Sequence, residues 1–178
     1  MKTKLFFLAF LTSLLSWGQG SESFTNSNAT TSYSANSFVG DASVTWSYIE
    51  SRDEATFGIT GKGLMLRRSS SSSRVTSSSV SGGIGNFTCD LRKAFTGAGN
   101  RQVELFVNGI SQGTSIAWDN TSVQTFTVNN INISGSVIIE IRNITANQVI
   151  VDNISWTGYT AGPAPSLAIT PAMTNLGS

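Results

Sequence analysis

Short stretches of alternating apolar and polar residues recur along this chain, and nothing between residues 21 and 159 sustains a helical period over three turns. The alternation is clearest in residues 86–94 and 101–107, and Gly, Asn and Ser separate the stretches. Such a pattern predicts about 8–10 short strands in an all-β, antiparallel, two-sheet β-sandwich. The long connection over residues 24–41 favours a jelly roll over a simple meander.

A tight hairpin is predicted at Asn108-Gly109, because this dipeptide readily adopts the positive φ angles of a type I′ turn. The return strand is expected over residues 110–114, with a bulge or bend near Gly113. Residues 137–141 are largely apolar on both faces, which predicts a central strand.

The N-terminus carries Lys2 and Lys4, then a mostly apolar run over residues 5–15, then small residues. This order predicts a secretory signal peptide over residues 1–20, cleaved between 18 and 21. A membrane anchor is disfavoured, because spanning a bilayer takes roughly 20 apolar residues. We therefore expect a secreted or cell-surface protein without a membrane span.

Charge and residue usage exclude several classes of function. Removal of Lys2 and Lys4 with the signal peptide leaves nine basic residues against ten acidic ones, a net charge of −1. A near-neutral chain has no general attraction to nucleic acid. The chain has no His, which excludes catalysis by an imidazole within it. Cys89, the single cysteine, alternates with Phe87 and Leu91, so we expect it to be buried rather than reactive. No residue set indicates an enzyme active site.

The composition changes after residue 159. Residues 160–166 contain Pro163 and Pro165 and predict a linker, whereas residues 167–178 have the pattern of a first strand without partners. We interpret residues 21–159 as a complete β-sandwich module, and residues 167–178 as the truncated start of a second domain covalently linked to it.

Four segments carry a resemblance to a known family: residues 61–68 (GKGLMLRR), 82–87 (GGIGNF), 102–109 (QVELFVNG) and 150–154 (IVDNI). With them the chain resembles the N-terminal β-sandwich modules of multidomain proteins exported by Bacteroidota, which often carry nuclease or other hydrolase domains downstream. It is also similar, more loosely, to the jelly rolls of carbohydrate-binding modules and galactose-binding-like domains. Residues 167–177 likewise resemble the opening of an immunoglobulin-like repeat. The resemblance implies a fold and an extracellular location rather than a reaction.

The same resemblance implies a structural calcium site between the first and last strands. Glu22 and Asp152 are the candidate ligands, and Asp41 is a possible third, since calcium takes hard oxygen ligands. The alternative is that Asp152 caps its strand or pairs with Arg142.

Aromatic residues beside polar ones are the candidates for stacking on a sugar. Trp118, Asp119 and Asn120 fall in a predicted loop, and Phe106 projects from the face opposite Val103, Leu105 and Val107. Core or edge packing of these aromatics is the alternative. Trp46 and Trp156 are expected in the core.

Two charged sets are interpreted as solvated surface. Residues 50–54 crowd three acids and an arginine into one segment, and we expect a loop with an internal ion pair. Binding to DNA or a polyanionic glycan would require the basic residues of the middle segment to share one face: Arg67, Arg68, Arg74, Arg92, Lys93 and Arg101.

Three hypotheses about function stay open. The first is a secreted, non-catalytic accessory module that binds a polysaccharide or cell-surface glycan through Phe106, Trp118, Asp119 and Asn120. The second is the N-terminal fragment of a secreted endonuclease or other hydrolase whose catalytic domain lies beyond residue 178. The third is a purely structural or adhesive spacer, which needs no ligand.

Overall fold

A computed structural model of the protein describes residues 19–162, and these residues form an all-β structure with two short 3₁₀ turns at Asp41–Ser43 and Ser69–Ser71. The sequence-based prediction of an all-β, antiparallel fold is confirmed. Eleven strands occur in the described residues: β1 (Gly20–Glu22), β2 (Ser34–Val39), β3 (Thr45–Asp53), β4 (Leu64–Leu66), β5 (Arg74–Ser77), β6 (Phe87–Lys93), β7 (Val103–Val107), β8 (Ile110–Thr114), β9 (Gln124–Val128), β10 (Ile139–Asn143) and β11 (Val149–Trp156).

All neighbouring strands pair antiparallel, in the order β8-β7-β10-β5-β3-β4-β11-β6-β9, with β2 on β3 and β1 on β11. Strand β3 belongs to both halves of this path. Its residues 46–49 pair with β5, and its residues 51–53 pair with β4. Between them, Glu50 has a φ of 47°, so the strand bends there and passes from one sheet to the other.

The two halves of the path face each other across one core. Trp46 of β3 and Trp156 of β11 meet edge to face, with 6.2 Å between ring centroids, which brings the first sheet (β2, β3, β5, β10, β7, β8) onto the second (β4, β11, β6, β9, β1). Both rings are buried, as the sequence predicts. Cys89 is buried in the same core, and burial raises the pKa of its thiol, so it is an unreactive core residue.

The most regular sequence patterns give the most accurate predictions. Along β6 and β7 every second residue is buried, and Asn108 and Gly109 have φ angles of 51° and 78° in the predicted hairpin turn. The register between β7 and β8 shifts between Gly113 and Ser111, which agrees with the bulge or bend expected near Gly113. Strand β10 lies between β5 and β7 and is therefore central.

Two predictions about connections are wrong. Residues 24–41, interpreted as a long connection, contain strand β2, which pairs along the edge of β3. Residues 50–53, interpreted as part of a loop, are the second half of β3, although the expected internal ion pair is present between Arg52 and Asp53 at 3.3 Å. The predicted signal peptide, apart from residues 19 and 20, lies outside the described residues, as do residues 163–166 of the predicted linker and the predicted second domain.

Candidate functional site

Trp118 does not lie in an exposed loop. Its side chain is only 6% exposed and belongs to the hydrophobic core. The backbones of Trp118 and Arg101 exchange two hydrogen bonds of 2.8 and 3.1 Å, which hold the tryptophan at the start of β7. The expectation of an exposed stacking platform at Trp118 is therefore wrong, because a buried ring offers no face to a sugar.

Asp119 points back into the protein, onto two buried cations. Its Oδ1 accepts hydrogen bonds from Lys93 Nζ at 2.5 Å and from Arg101 Nη1 at 2.8 Å. Arg101 also donates to four backbone carbonyl groups, of Ala94, Gly97, Gly99 and Gln148. We call Lys93, Arg101 and Asp119 the Arg101 cluster.

The Arg101 cluster is an internal clamp rather than a surface for a ligand. A hydrogen bond from Lys93 is the main cause that lowers the pKa of Asp119, and burial lowers the pKa of Arg101. Nearby Asn120 accepts from the backbone N–H of Ser122 at 3.0 Å, which shapes the following turn. Together these contacts fix the loop before β7 and the loop after β8 against the end of β6.

Phe106 lies on the outer face of β7, away from the core and therefore away from Trp118. Directly across from it on β10 is Glu140, and the Arg142 guanidinium lies over the Phe106 ring, 3.8 Å from its centroid. A cation held at this distance over an aromatic face is favourable and fixes the arginine in place. Of the two predicted stacking aromatics, Phe106 is thus the one on an open surface, whereas Trp118 is buried; Asp119 and Asn120 are exposed but lie beside Trp118.

An open cleft of about 510 Å³ surrounds Phe106, and we call it the Phe106 cleft. Its floor is the outer face of β5, β10 and β7, and its wall is the serine-rich turn before β5. The lining residues are Ser69, Ser72, Ser73, Arg74, Glu104, Phe106, Glu140, Arg142, Asn143 and Ile144. Volumes of about 300–1,000 Å³ are typical of small-ligand pockets.

Charged groups on the cleft floor are organised around Glu140. This carboxylate accepts from Arg142 Nε and from Thr76 Oγ1 at 2.7 Å, and it lies 3.5 Å from Arg74 Nε. Each contact orients a neighbouring side chain along the floor. Because β5, β10 and β7 are paired strands, the groups have fixed positions before any ligand arrives.

The predicted calcium ligands Glu22 and Asp41 are adjacent. Glu22 accepts from the backbone N–H groups of Phe24 and Asp41 at 2.6 and 2.9 Å, and Asp41 accepts from the backbone N–H of Ser23 at 2.9 Å. Asp152 lies on β11, two residues before Ile154, the register partner of Glu22. It accepts from Thr60 N–H rather than pairing with Arg142, so the predicted alternative pair does not form.

Burial dominates the electrostatics of Glu22 and Asp152. Desolvation raises the pKa of both carboxyls, and for Glu22 the charges of Asp41 and Asp152 add to the effect. No salt bridge reaches either residue within residues 19–162. Over the same residues, no three His, Cys, Asp or Glu side chains are grouped closely enough to hold a metal ion.

The basic residues of the middle segment do not share a face. Lys93 and Arg101 are clamped on Asp119, and Arg74 lies in the Phe106 cleft. Arg67, which directly follows β4, forms an ion pair with Glu50 at the bend of β3, with 2.5 Å between Arg67 Nη1 and Glu50 Oε2. These four residues therefore lie in three separate places rather than on one basic face.

An aromatic pair that the sequence did not predict lies on two loops. Phe57 and Phe95 meet edge to face with 5.0 Å between their centroids, and Phe95 is 38% exposed. Phe95 has a φ of 60°, which is unusual for a bulky residue. No periodic signal marks either phenylalanine, because both follow the ends of strands.

No protein-family model and no curated protein sequence matches this chain. Among solved structures, the chain is similar to a CBM36-1 domain of a multidomain xylanase from the hindgut metagenome of Trinervitermes trinervoides, with 15% identity over 80% of this chain and 99% of that one and a TM-score of 0.48. It is also similar to a CBM36 carbohydrate-binding module in complex with calcium and xylotriose, with 16% identity over 61% of this chain and 100% of that one and a TM-score of 0.44. A family 6 carbohydrate-binding module gives 18% identity over 55% of this chain and 75% of that one, with a TM-score of 0.41. At these identities and scores, no site residue is carried over. Within residues 19–162, no helix has the length and apolar character needed to cross a membrane.

Proposed function

We propose that this chain is a secreted, non-catalytic accessory module that binds glycan in the Phe106 cleft. The observation that carries the proposal is the cleft itself, where an aromatic ring, charged groups and hydroxyls line one open surface on rigid strands. Sugars present apolar faces edged with hydroxyl groups, so their sites combine an aromatic side chain with hydrogen-bonding groups.

The remaining parts of the proposal come from the sequence. Residues 1–20 as a signal peptide make the module extracellular, and residues 160–166 as a linker attach it to a downstream domain starting at residue 167. In this arrangement the module holds its covalent partner close to a polysaccharide or cell-surface glycan. A downstream nuclease or other hydrolase is compatible with the same arrangement.

Binding should be measured by affinity electrophoresis and calorimetry over a panel of neutral and acidic polysaccharides. We expect Phe106→Ala to weaken binding at least tenfold without lowering the melting midpoint by more than a few degrees. Phe95→Ala is the matched control, because it removes an exposed phenylalanine elsewhere. Loss of binding in Phe95→Ala alone would place the glycan on the loop pair instead. If no polysaccharide of the panel binds, the third hypothesis, a structural or adhesive spacer, is favoured instead.

A structural calcium beside Glu22, with Asp41 and Asp152 as the other candidate ligands, is the second part of the proposal. Because these three carboxylates are not grouped as a complete ligand set in the described residues, backbone carbonyl groups would supply the remaining oxygens. The support for this site is that Glu22 and Asp152 are buried acids without a salt bridge in the described residues, and calcium would neutralise them. Calcium binding to the native state raises the melting midpoint by mass action. We expect a chelator to lower the midpoint in the wild type but not in Glu22→Gln. Glu50→Gln, which removes an exposed acid, should keep the response.

A further inference from the structure

We propose that the Phe106 cleft selects acidic glycans, and that Arg142 and Arg74 bind the carboxylate of a uronic acid residue. This inference rests on the proposed glycan-binding function and adds the class of glycan. The starting observation is that Arg142 of β10 and Arg74 of β5 are direct register partners on the outer face of the sheet. Like charges placed directly opposite each other on paired strands are destabilising unless a counter-charge lies close by.

Within the cleft, the two arginines share a single carboxylate. Glu140 is bonded to Arg142 Nε and lies 3.5 Å from Arg74 Nε. The second acid of the cleft, Glu104, is the register partner of Arg142 on β7, yet its carboxylate accepts from Ser111 Oγ at 2.5 Å. No ion pair joins Glu104 to either arginine in the part of the chain that the structure describes. Glu140 is therefore the one acid of the cleft, among the described residues, that pairs with the two arginines.

Arg142 is oriented with its hydrogen-bonding end free. Its guanidinium lies over the Phe106 ring, and its Nε donates a hydrogen bond to Glu140. Among residues 19–162, none accepts a hydrogen bond from its two terminal nitrogens, and the side chain is 43% exposed. A planar guanidinium with both terminal N–H groups available is the donor that matches a carboxylate in bidentate fashion.

The wall of the cleft offers neutral groups for the rest of a sugar. Arg74 Nη1 donates to the Ser72 carbonyl at 3.0 Å, which ties the arginine to the serine-rich turn. The hydroxyl groups of Ser69 and Ser72 line the cleft and have no partner among the described residues. The cleft thus places hydroxyls above a pair of oriented cations, an arrangement suited to a sugar ring that carries an acid.

A matched pair of polymers tests the inference directly. Polygalacturonate and its fully methyl-esterified form share one backbone and differ only in the charge of the carboxyl group. We expect the wild type to bind polygalacturonate, alginate or glucuronoxylan at least tenfold more tightly than methyl-esterified polygalacturonate. Raising the salt concentration should weaken the binding, since an exposed ion pair is screened.

Variants assign the preference to the two arginines. Arg142→Gln should remove the preference for the acid, and Arg142→Lys should restore little of it, because an ammonium group cannot make the bidentate contact. Arg74→Gln should weaken binding of the acidic polysaccharide at least threefold. Lys62→Gln is the control for net charge, because Lys62 is exposed and lies outside the cleft. Equal loss in Lys62→Gln would show nonspecific attraction and overturn the assignment.

The remaining outcomes separate this inference from the proposed function. Equal affinity for the acid and its methyl ester, both lost in Phe106→Ala, would overturn acid selectivity and leave glycan binding intact. Binding to dextran sulfate but not to dextran or any uronate polymer would overturn the uronate class. Failure of every polysaccharide to bind would overturn the proposed function itself.

Discussion

The Arg101 cluster and the Phe106 cleft hold the same kinds of charged side chain in opposite surroundings. Arg101 is 1% exposed, and every part of its guanidinium donates to a carbonyl or to Asp119. Arg142 lies over Phe106 at the surface, and its terminal nitrogens have no acceptor among residues 19–162. All three guanidinium nitrogens of Arg101 donate hydrogen bonds within the protein, whereas the two terminal nitrogens of Arg142, with no acceptor in the described part of the chain, remain available to a ligand. Charge and residue type alone do not separate these roles, but the inventory of satisfied donors does.

The aromatic residues of the two regions offer the test with the largest expected effect. Trp118→Ala should lower the free energy of unfolding by about 3–5 kcal/mol, because it leaves a cavity in the core. Phe106→Ala should lower it by less than about 1 kcal/mol, because that ring lies on the outer face. Urea unfolding followed by tryptophan fluorescence or circular dichroism measures both values.

Trp118→Phe is the control for this comparison. The indole N–H of Trp118 donates to no residue in the described part of the chain, so phenylalanine loses volume but no hydrogen bond. We expect a cost well below that of alanine. If Trp118→Ala left stability unchanged but abolished glycan binding, the contrast between a structural and a binding aromatic would be reversed.

The misplacement of Trp118 shows where prediction from the sequence stops. The strands β6 and β7 and the Asn108-Gly109 hairpin are evident in the sequence, because period two and turn chemistry are local signals. The burial of Trp118 depends on its pairing with Arg101, seventeen residues earlier, and no local pattern around the tryptophan reports that pairing. The burial of Trp118 is therefore determined by strand pairing across the sheet rather than by its neighbours in the sequence.

The same limit applies to the edges of the fold and to the cleft. Strand β2 buries one of its six residues because it is an edge strand, so its alternation is weak. Phe106 was predicted on the outer face from its own strand, but Arg74 and Arg142 become its neighbours only through the order β5-β10-β7. Strand order is a property of the whole chain, so the sequence indicated one residue of the cleft and not its arginines.

The arginines themselves provide the second test. Arg101→Met should lower the free energy of unfolding by about 3 kcal/mol, because it removes the donor shared by four backbone carbonyl groups and leaves Asp119 with Lys93 as its one cation among the described residues. Arg142→Gln should cost less than about 1 kcal/mol, because its ion pair with Glu140 is partly exposed. Denaturant titration of both variants compares them. Similar costs would mean that Arg142 is also a structural residue, and the case for a free donor in the cleft would fail.

The smallest expected effect is the pH dependence of stability that arises from Glu22 and Asp152, compared with Asp119, which is paired with Lys93 and Arg101. Asp119 has two cations, which lower its pKa below the ordinary 3.8, so its stabilisation is present at neutral pH and is lost as the pH falls through the lowered value. Glu22 and Asp152 are buried, neither forms a salt bridge with another of residues 19–162, and their pKa values are raised above 4.5 and 3.8. Because the folded state holds those protons more tightly than the unfolded state does, stability should increase as the pH falls through the raised pKa values.

Thermal melts in chelator between pH 4 and pH 7 measure this dependence. We expect the melting midpoint to rise slightly as the pH is lowered, and the rise to shrink in Glu22→Gln, which cannot take up the proton. Calcium should oppose the trend, because a bound cation favours the ionised carboxylates and makes neutral pH the more stable condition. A midpoint that falls steadily from pH 7 to pH 5 in chelator would mean that Glu22 and Asp152 are stabilised as anions. The contrast with Asp119 would then be absent, and the support for a calcium site at these acids would be lost with it.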